Sequence, residues 1–346
     1  MPLTGAATDE QGRTAVQGVR QLLRIVLGLV IVVGATCRGV QSAWAQGARL
    51  GGAADPPAAL LLDHEFADPS LLQVGDTYFL YATGTASTNV QVGRTDDFVE
   101  WTQLADALPT LPGWAEPGFT WAPAVAAMGG ESEYVLYFVA RDRASGDQCI
   151  GVATSHLPEG PFSSTPAQPL VCQVDLGGSI DPYVFIDDEQ RFLLWKNDAP
   201  SYGAEPWLWI QPLSQDGVAL VGAPTALLHP DRVWEGGVVE APALVRRHDT
   251  YYLFYSANDY ASAQYAIGYA RAPTLLGPYR KAPGPLLASQ QIAGVIGPGG
   301  QDILERGEMT WLVYHSWDPT MTYRYLRLDR LVWNGHTPVL SKAASS

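Results

Sequence analysis

The sequence predicts an all-β protein, a five-bladed β-propeller with about four antiparallel strands per blade. Three observations carry that prediction. Apolar residues come in strand-length stretches instead of recurring at helical period, turn-forming and aromatic residues are abundant, and one strand–turn–strand text recurs five times. With Gly 35, Pro 26, Trp 11 and Tyr 16 among 346 residues, the chain is built of turns and aromatic strands. Hydrophobic residues at 47% against charged residues at 16% provide a large core and exclude a disordered chain.

The N-terminus reads as an export signal over residues 1–45. Arg13, Arg20 and Arg24 precede the apolar run "IVLGLVIVVGA", and Ala43 and Ala45 in "AWAQ" supply the small residues of a cleavage site. The run is short for a transmembrane helix, so the expected location is secreted or periplasmic, with a membrane anchor as the alternative. Cys37 in "GATC" lacks the leucine usual at the start of a lipobox. Residues 46–60 read as a linker and 61–342 as the propeller.

Within 61–342 the first strands begin at "ADPSLLQV", "WAPAVAAM", "IDPYVFID", "EAPALVRR" and "GPGGQDIL". About ten residues later come "TYFLYAT", "EYVLYFVA", "RFLLWKND", "TYYLFYSA" and "MTWLVYHS". Pro69, Pro123, Pro182 and Pro242 stand 54, 59 and 60 residues apart, and a fifth start near Gly299 keeps the spacing. Third strands follow in "VQVGRTDDFVEW", "CIGVATSHLPEGPF" and "AIGYARAPTLLGPY". Such a period marks radial repetition, in which each small sheet buries its faces against its neighbours. A two-sheet sandwich would not require near-equal repeats. Trp195, Tyr252 and Trp311, at alternating strand positions, are expected to pack between blades.

The formal charge of -14 argues against nucleic acid or an anionic membrane as partner, since both need clustered Lys and Arg. A neutral oligo- or polysaccharide suits the chain better; its oligomeric state is not legible in the sequence.

In a propeller the first strand of each blade lines the central channel, so the starts of these strands converge near one mouth. The residues there are Asp68, Ala122, Asp181, Ala241 with Glu240 just before it, and Gly299. Three blades thus send a carboxylate to one place. Crowded acids repel one another, and each raises the proton affinity of its neighbours. Glycoside hydrolysis uses one carboxylic acid to protonate the leaving oxygen and one carboxylate to attack or to activate water. A third can hold the acid protonated near neutral pH.

"FADPS", "GSIDPYVF" and "VVEAPALV", with the accessory texts "TWAPAV", "IGVATS" and "GPGGQD", resemble glycoside hydrolase family 43 over roughly residues 61–340. The resemblance implies a five-bladed propeller acting on arabinose- or xylose-containing glycans. By that analogy Asp68 is the general base, Asp181 tunes pKa and orients, and Glu240 is the general acid of an inverting reaction. Family members often read Gly-Pro-Gly-His in the fifth blade, where the histidine helps hold a metal ion. Here Gly300 stands in its place, which puts a channel calcium in doubt; no metal ligand is assigned and no cofactor is expected to be required.

Phe66 and Trp121 are candidate sugar-stacking residues, Gln301 a candidate hydrogen-bonding partner of substrate or water, and Arg324 a further binding candidate. Trp234 and Glu235 fit either a solvated turn or a subsite, and His315 reads as a hydrogen-bonded core residue. Cys149 and Cys172 lie on strand-like stretches and are expected to form a disulfide outside the cell. The function expected is that of an exo-acting α-L-arabinofuranosidase or β-xylosidase. Alternatives are an endo-arabinanase or galactan-cleaving relative, and a non-catalytic carbohydrate-binding propeller.

Overall fold

The computed structural model describes residues 59–128, 134–199 and 203–341. The expected signal segment and nearly all of the expected linker lie outside the described residues. Among the described residues, twenty strands form five antiparallel sheets. Blade one is β2 (Ser70–Val74), β3 (Thr77–Thr83), β4 (Val90–Thr95) and β5 (Thr102–Gln103); blade two is β6 (Ala115–Ala127), β7 (Tyr134–Asp142) and β8 (Gln148–Ser155). Blade three holds β9 (Ser179–Asp187), β10 (Gln190–Asn197), β11 (Leu208–Pro212) and β12 (Thr225–Leu228). Blade four holds β13 (Val239–Arg247), β14 (Thr250–Ala257), β15 (Ala266–Ala272) and β16 (Arg280–Lys281).

Blade five joins the two ends of the described chain. Its strands β17 (Ile296–Arg306), β18 (Met309–Trp317) and β19 (Arg324–Asn334) are flanked by β20 (Thr337–Leu340) and by β1 (Ala59–Leu62), which pairs with β19. The propeller therefore takes in Ala59 and Leu60, two residues expected to be linker.

Blade two has three regular strands. The segment along the outer edge of β8 is irregular and is held by the bridges Ile150–Val171 and Thr154–Ser163. Cys149 on β8 is joined to Cys172 beside the first of these, with 4.7 Å between their Cα atoms.

Five apolar clusters form the core, one between each pair of adjacent blades. The second strands have a blade on either side, which is why "TYFLYAT" and "TYYLFYSA" run apolar without alternation and are buried nearly throughout. Trp195, Tyr252 and Trp311 sit in this packing, each at most 2% exposed.

The channel mouth is built from one local conformation used five times. Asp68, Ala122, Asp181, Ala241 and Gly300 all have left-handed backbones, with φ of 52°, 38°, 55°, 48° and 57°. Register shifts accompany this position in blades two to five. Such a bulge turns consecutive side chains toward the mouth. The fifth counterpart is thus Gly300, one residue beyond the Gly299 expected from the spacing. A left-handed backbone costs roughly 1–2 kcal/mol for a residue with a β-carbon.

The pairing of each first strand two residues further on fixes which second-strand residue faces each bulge. Tyr81 pairs with Ser70, Tyr137 with Ala124, Leu194 with Tyr183, Phe254 with Ala243 and Val313 with Asp302. Two residues beyond these partners stand Thr83, Val139, Lys196, Ser256 and His315, one equivalent position per blade.

Candidate active site

A pocket of about 340 Å³ opens at this mouth, lined by Asp68, Trp121, Asp181, Lys196, Glu240 and Arg324 among others. Below it a cavity of about 40 Å³ runs between the first strands, lined by the five bulges and the residues after them. All three acids singled out from the sequence line the pocket. Their environments differ.

Asp68 is held as a carboxylate. Thr83 donates its hydroxyl to Oδ2 at 2.6 Å, and Arg324 reaches the same oxygen from 3.4 Å. Burial works to raise its pKa, but Arg324, His315 and Thr83 together hold it below the usual carboxylate range. Arg324 supplies the charge in that set, because burial pushes His315 down to about 4 and leaves it neutral at pH 7. Its Nδ1 therefore accepts the Asp68 backbone N–H, at 3.1 Å. Arg324 is itself aimed by Glu65, which accepts from its Nε at 3.0 Å and from its backbone N–H at 2.6 Å.

Asp181 is the opposite case. Burial and the nearby charge of Glu240 push it up to about 8, with Lys196 opposing, so it carries a proton at neutral pH. Its Oδ2 accepts the N–H of Ala241 at 2.9 Å. Glu240 stands between two donors, Lys196 Nζ at 2.8 Å from Oε2 and the Tyr265 hydroxyl at 2.7 Å from Oε1. The pocket thus combines an ionised acid, able to take a proton, with a neighbouring pair of acids that retains one.

The other candidates divide. Trp121 lines the pocket and is 37% exposed, and Arg324 lines it as well. Phe66 does not: it is 3% exposed, packed in the core between blades five and one, with no face available to a sugar. Gln301 is placed in the lower cavity, where it accepts from Ser256 at 2.7 Å and donates to the Ala241 carbonyl, so both ends of its amide are occupied within the protein. Glu235 is fully buried, accepting from Tyr255 and Lys281 at 2.8 Å each, and Trp234 stacks on Tyr255. Neither a solvated turn nor a subsite describes these two; they pin the approach to β13.

Lys196, Tyr265, Thr83 and Glu65 were not singled out. Lys196 left a trace in the sequence as the one charge closing the apolar run "FLLWK", since a lysine at a buried position requires a partner. The others are unremarkable in sequence.

The residues present do not fit a channel calcium held by a fifth-blade histidine. A β-carbon on Gly300 would lie 2.6 Å from the His315 ring and 2.7 Å from Asp68 Oδ1, so His315 occupies the space that such a side chain needs. Among the described residues, no three His, Cys, Asp or Glu side chains converge to hold a metal.

Three of the five blades bring a carboxyl group to one mouth, the kind of arrangement that glycoside hydrolysis uses. The chain belongs to the glycosyl hydrolases family 43, whose profile matches residues 61–338. It is similar to the beta-D-galactofuranosidase xynD of Aspergillus niger, 27% identical with 78% of this chain and 80% of that one covered. An extracellular endo-alpha-(1->5)-L-arabinanase of Bacillus subtilis is 28% identical, with 72% and 80% covered. A putative beta-xylosidase of Xylanibacter ruminicola is 23% identical, and there the match spans only 49% of that protein. Among solved structures, a thermostable family-43 glycoside hydrolase superposes with a TM-score of 0.72 at 29% identity, covering 82% of this chain and 95% of that one.

Proposed function

We propose that the protein is an exported, exo-acting glycosidase that removes arabinofuranose or xylose units from plant-type glycans with inversion. Asp68 serves as general base, Glu240 as general acid, and Asp181 as the group that stores the proton and orients its neighbour. The observation that carries this reading is the opposite surroundings of two acids in one pocket, Asp68 held by Arg324 and the Thr83 hydroxyl and Asp181 buried beside Glu240, which push their pKa values apart. A base must be ionised and an acid system must hold a proton. The pocket's volume, about 340 Å³, lies near the small end of ligand sites and suits capture of a chain end better than passage of a polymer.

Trp121 offers an indole face to sugar C–H groups, and Arg324 both supports Asp68 and faces the pocket. No helix among the described residues is long and apolar enough to cross a membrane. Export to the periplasm or the exterior rests on the reading of residues 1–45, and relatives described as extracellular are in keeping with it.

The names of the relatives keep furanosides and xylosides together as substrates, with arabinan cleavage within the chain as the second reading. A panel of aryl α-L-arabinofuranosides, β-D-xylosides and β-D-galactofuranosides, run beside debranched arabinan, tests both. Release of monosaccharide is the expected result; oligosaccharides from debranched arabinan as first products would establish the second reading. Binding without cleavage of any of them would leave a carbohydrate-binding propeller.

A further inference from the structure

In three blades the residue that closes the second strand accepts a backbone N–H from the bulge of the next blade. Ala122 donates to Thr83 at 2.9 Å, Gly300 to Ser256 at 2.9 Å, and Asp68 to His315 at 3.1 Å. Blades two and three break the scheme: the equivalent residue of blade two, Val139, has no polar side-chain atom, and that of blade three is Lys196, an ammonium with three donors and no acceptor. The N–H of Ala241 turns instead to Asp181 Oδ2, at 2.9 Å. The lysine sends its own donors to Glu240 Oε2 at 2.8 Å and toward Asp198 at 3.5 Å. Its side chain is only 4% exposed.

We propose that Lys196 is a positioning residue that assigns the proton of the Asp181–Glu240 pair to Asp181, by pairing its ammonium with Glu240 Oε2 and leaving Ala241 to orient Asp181. The proposal rests on the reading of these two acids as the catalytic pair and names the residue that governs them. Action of Glu240 as general acid then requires the proton to pass from an Asp181 oxygen to a Glu240 oxygen, leaving Asp181 anionic and Glu240 neutral.

The charged and titratable groups around the pair agree with this. Lys196 from β10, Tyr265 before β15 and Asp181 from β9 face Glu240; Glu240, Lys196 and the more distant Asp68 act on Asp181. Burial opposes the charge on Lys196, but Glu240, Asp198 and Asp181 together hold its ammonium well above the ordinary lysine range. Asp181, buried and beside Glu240, is raised to about 8 and so keeps its proton below that pH.

The test is a pH titration of ¹³C-labelled Asp and Glu carboxyls by NMR in the free full-length protein, which needs no substrate. One buried carboxyl should titrate near pH 8. The step should vanish in Asp181→Asn and survive, moved to lower pH, in Glu240→Gln. In Lys196→Met, stripped of the cation, it should move up by about one to three pH units, and Lys196→Arg should return it toward the wild-type position. The alkaline limb of the pH–rate profile should move with it, which loss of packing alone would not cause. A step lost in Glu240→Gln and kept in Asp181→Asn overturns the proposal, as does an unchanged step in folded Lys196→Met. Should Lys196→Met fail to fold, Lys196→Gln, which keeps a polar head without the charge, carries the same expected upward shift, and an unchanged step in it overturns the proposal. A protein that titrates as described but cleaves no glycoside would refute the functional reading while leaving this assignment standing.

Discussion

Gly300→Ala places one added carbon against the support of the proposed base. The backbone conformation is not the main obstacle, since Asp68, Ala122, Asp181 and Ala241 hold β-carbons at nearly the same φ; its cost is about 1–2 kcal/mol. The collision is the larger effect. A methyl group 2.6 Å from the His315 ring and 2.7 Å from Asp68 Oδ1 must push both back by roughly 1 Å to reach ordinary van der Waals contact. His315 is 1% exposed and stacked on Tyr265, so it has no free space to retreat into. Overpacking of this kind costs about 1–3 kcal/mol, which brings the expected loss to about 2–5 kcal/mol of stability. Displacement of Asp68 by ~1 Å should also lower kcat about 100-fold. Urea unfolding and the kcat on an activated aryl glycoside measure the two losses separately. Stability within ~0.5 kcal/mol of wild type, together with unchanged kcat, would refute the packing argument.

Loss of the proposed acid in Glu240→Ala should slow substrates with poor leaving groups by ~10²–10⁴ and spare activated aryl glycosides, so equal losses on both would remove the assignment. Activity should survive prolonged treatment with EDTA, because His315 fills the place of a histidine ligand on residue 300; inactivation reversed by calcium would contradict that. Replacing Cys149 and Cys172 by serine should cost about 3 kcal/mol, the entropy of closing a loop of their sequence separation, and denatured secreted protein should show no free thiol at either position. Water activated by Asp68 attacks opposite the leaving group, so proton NMR before mutarotation should show the inverted anomer first; a retained product would make Asp68 a nucleophile.

Much of the fold was legible because the bulges that build the channel leave a mark in sequence. A left-handed residue followed by proline produces "ADPS", "WAPA", "IDPY" and "EAPA", and those four prolines count the blades. The fifth blade shows where that ruler slips. Its proline, Pro298, precedes the left-handed Gly300 by two positions instead of following it, so the spacing pointed to Gly299. The closing strand β1 was illegible for another reason: four residues, "ALLL", have no partner text nearby, and they become a strand only because β19, more than two hundred residues later, offers an edge.

The site divides along a similar line. Asp68, Asp181 and Glu240 could be found because they stand beside the bulge prolines, where one strand suffices to locate them. What distinguishes their chemistry comes from the next layer, the residues closing the second strands, and these are placed by pairing between strands and packing between blades. Thr83, Lys196 and His315 each end an apolar run and each reads in sequence as the polar boundary of a core strand. Only the register reveals that they occupy one equivalent position, so that a hydroxyl, an ammonium and an imidazole meet the same kind of bulge. The hydroxyl and the imidazole accept its N–H, whereas the ammonium cannot. Blades two and three are therefore where the repeat departs from its own pattern, Val139 having no acceptor and Lys196 only donors, and in blade three the lysine bonds to Glu240 beside Asp181.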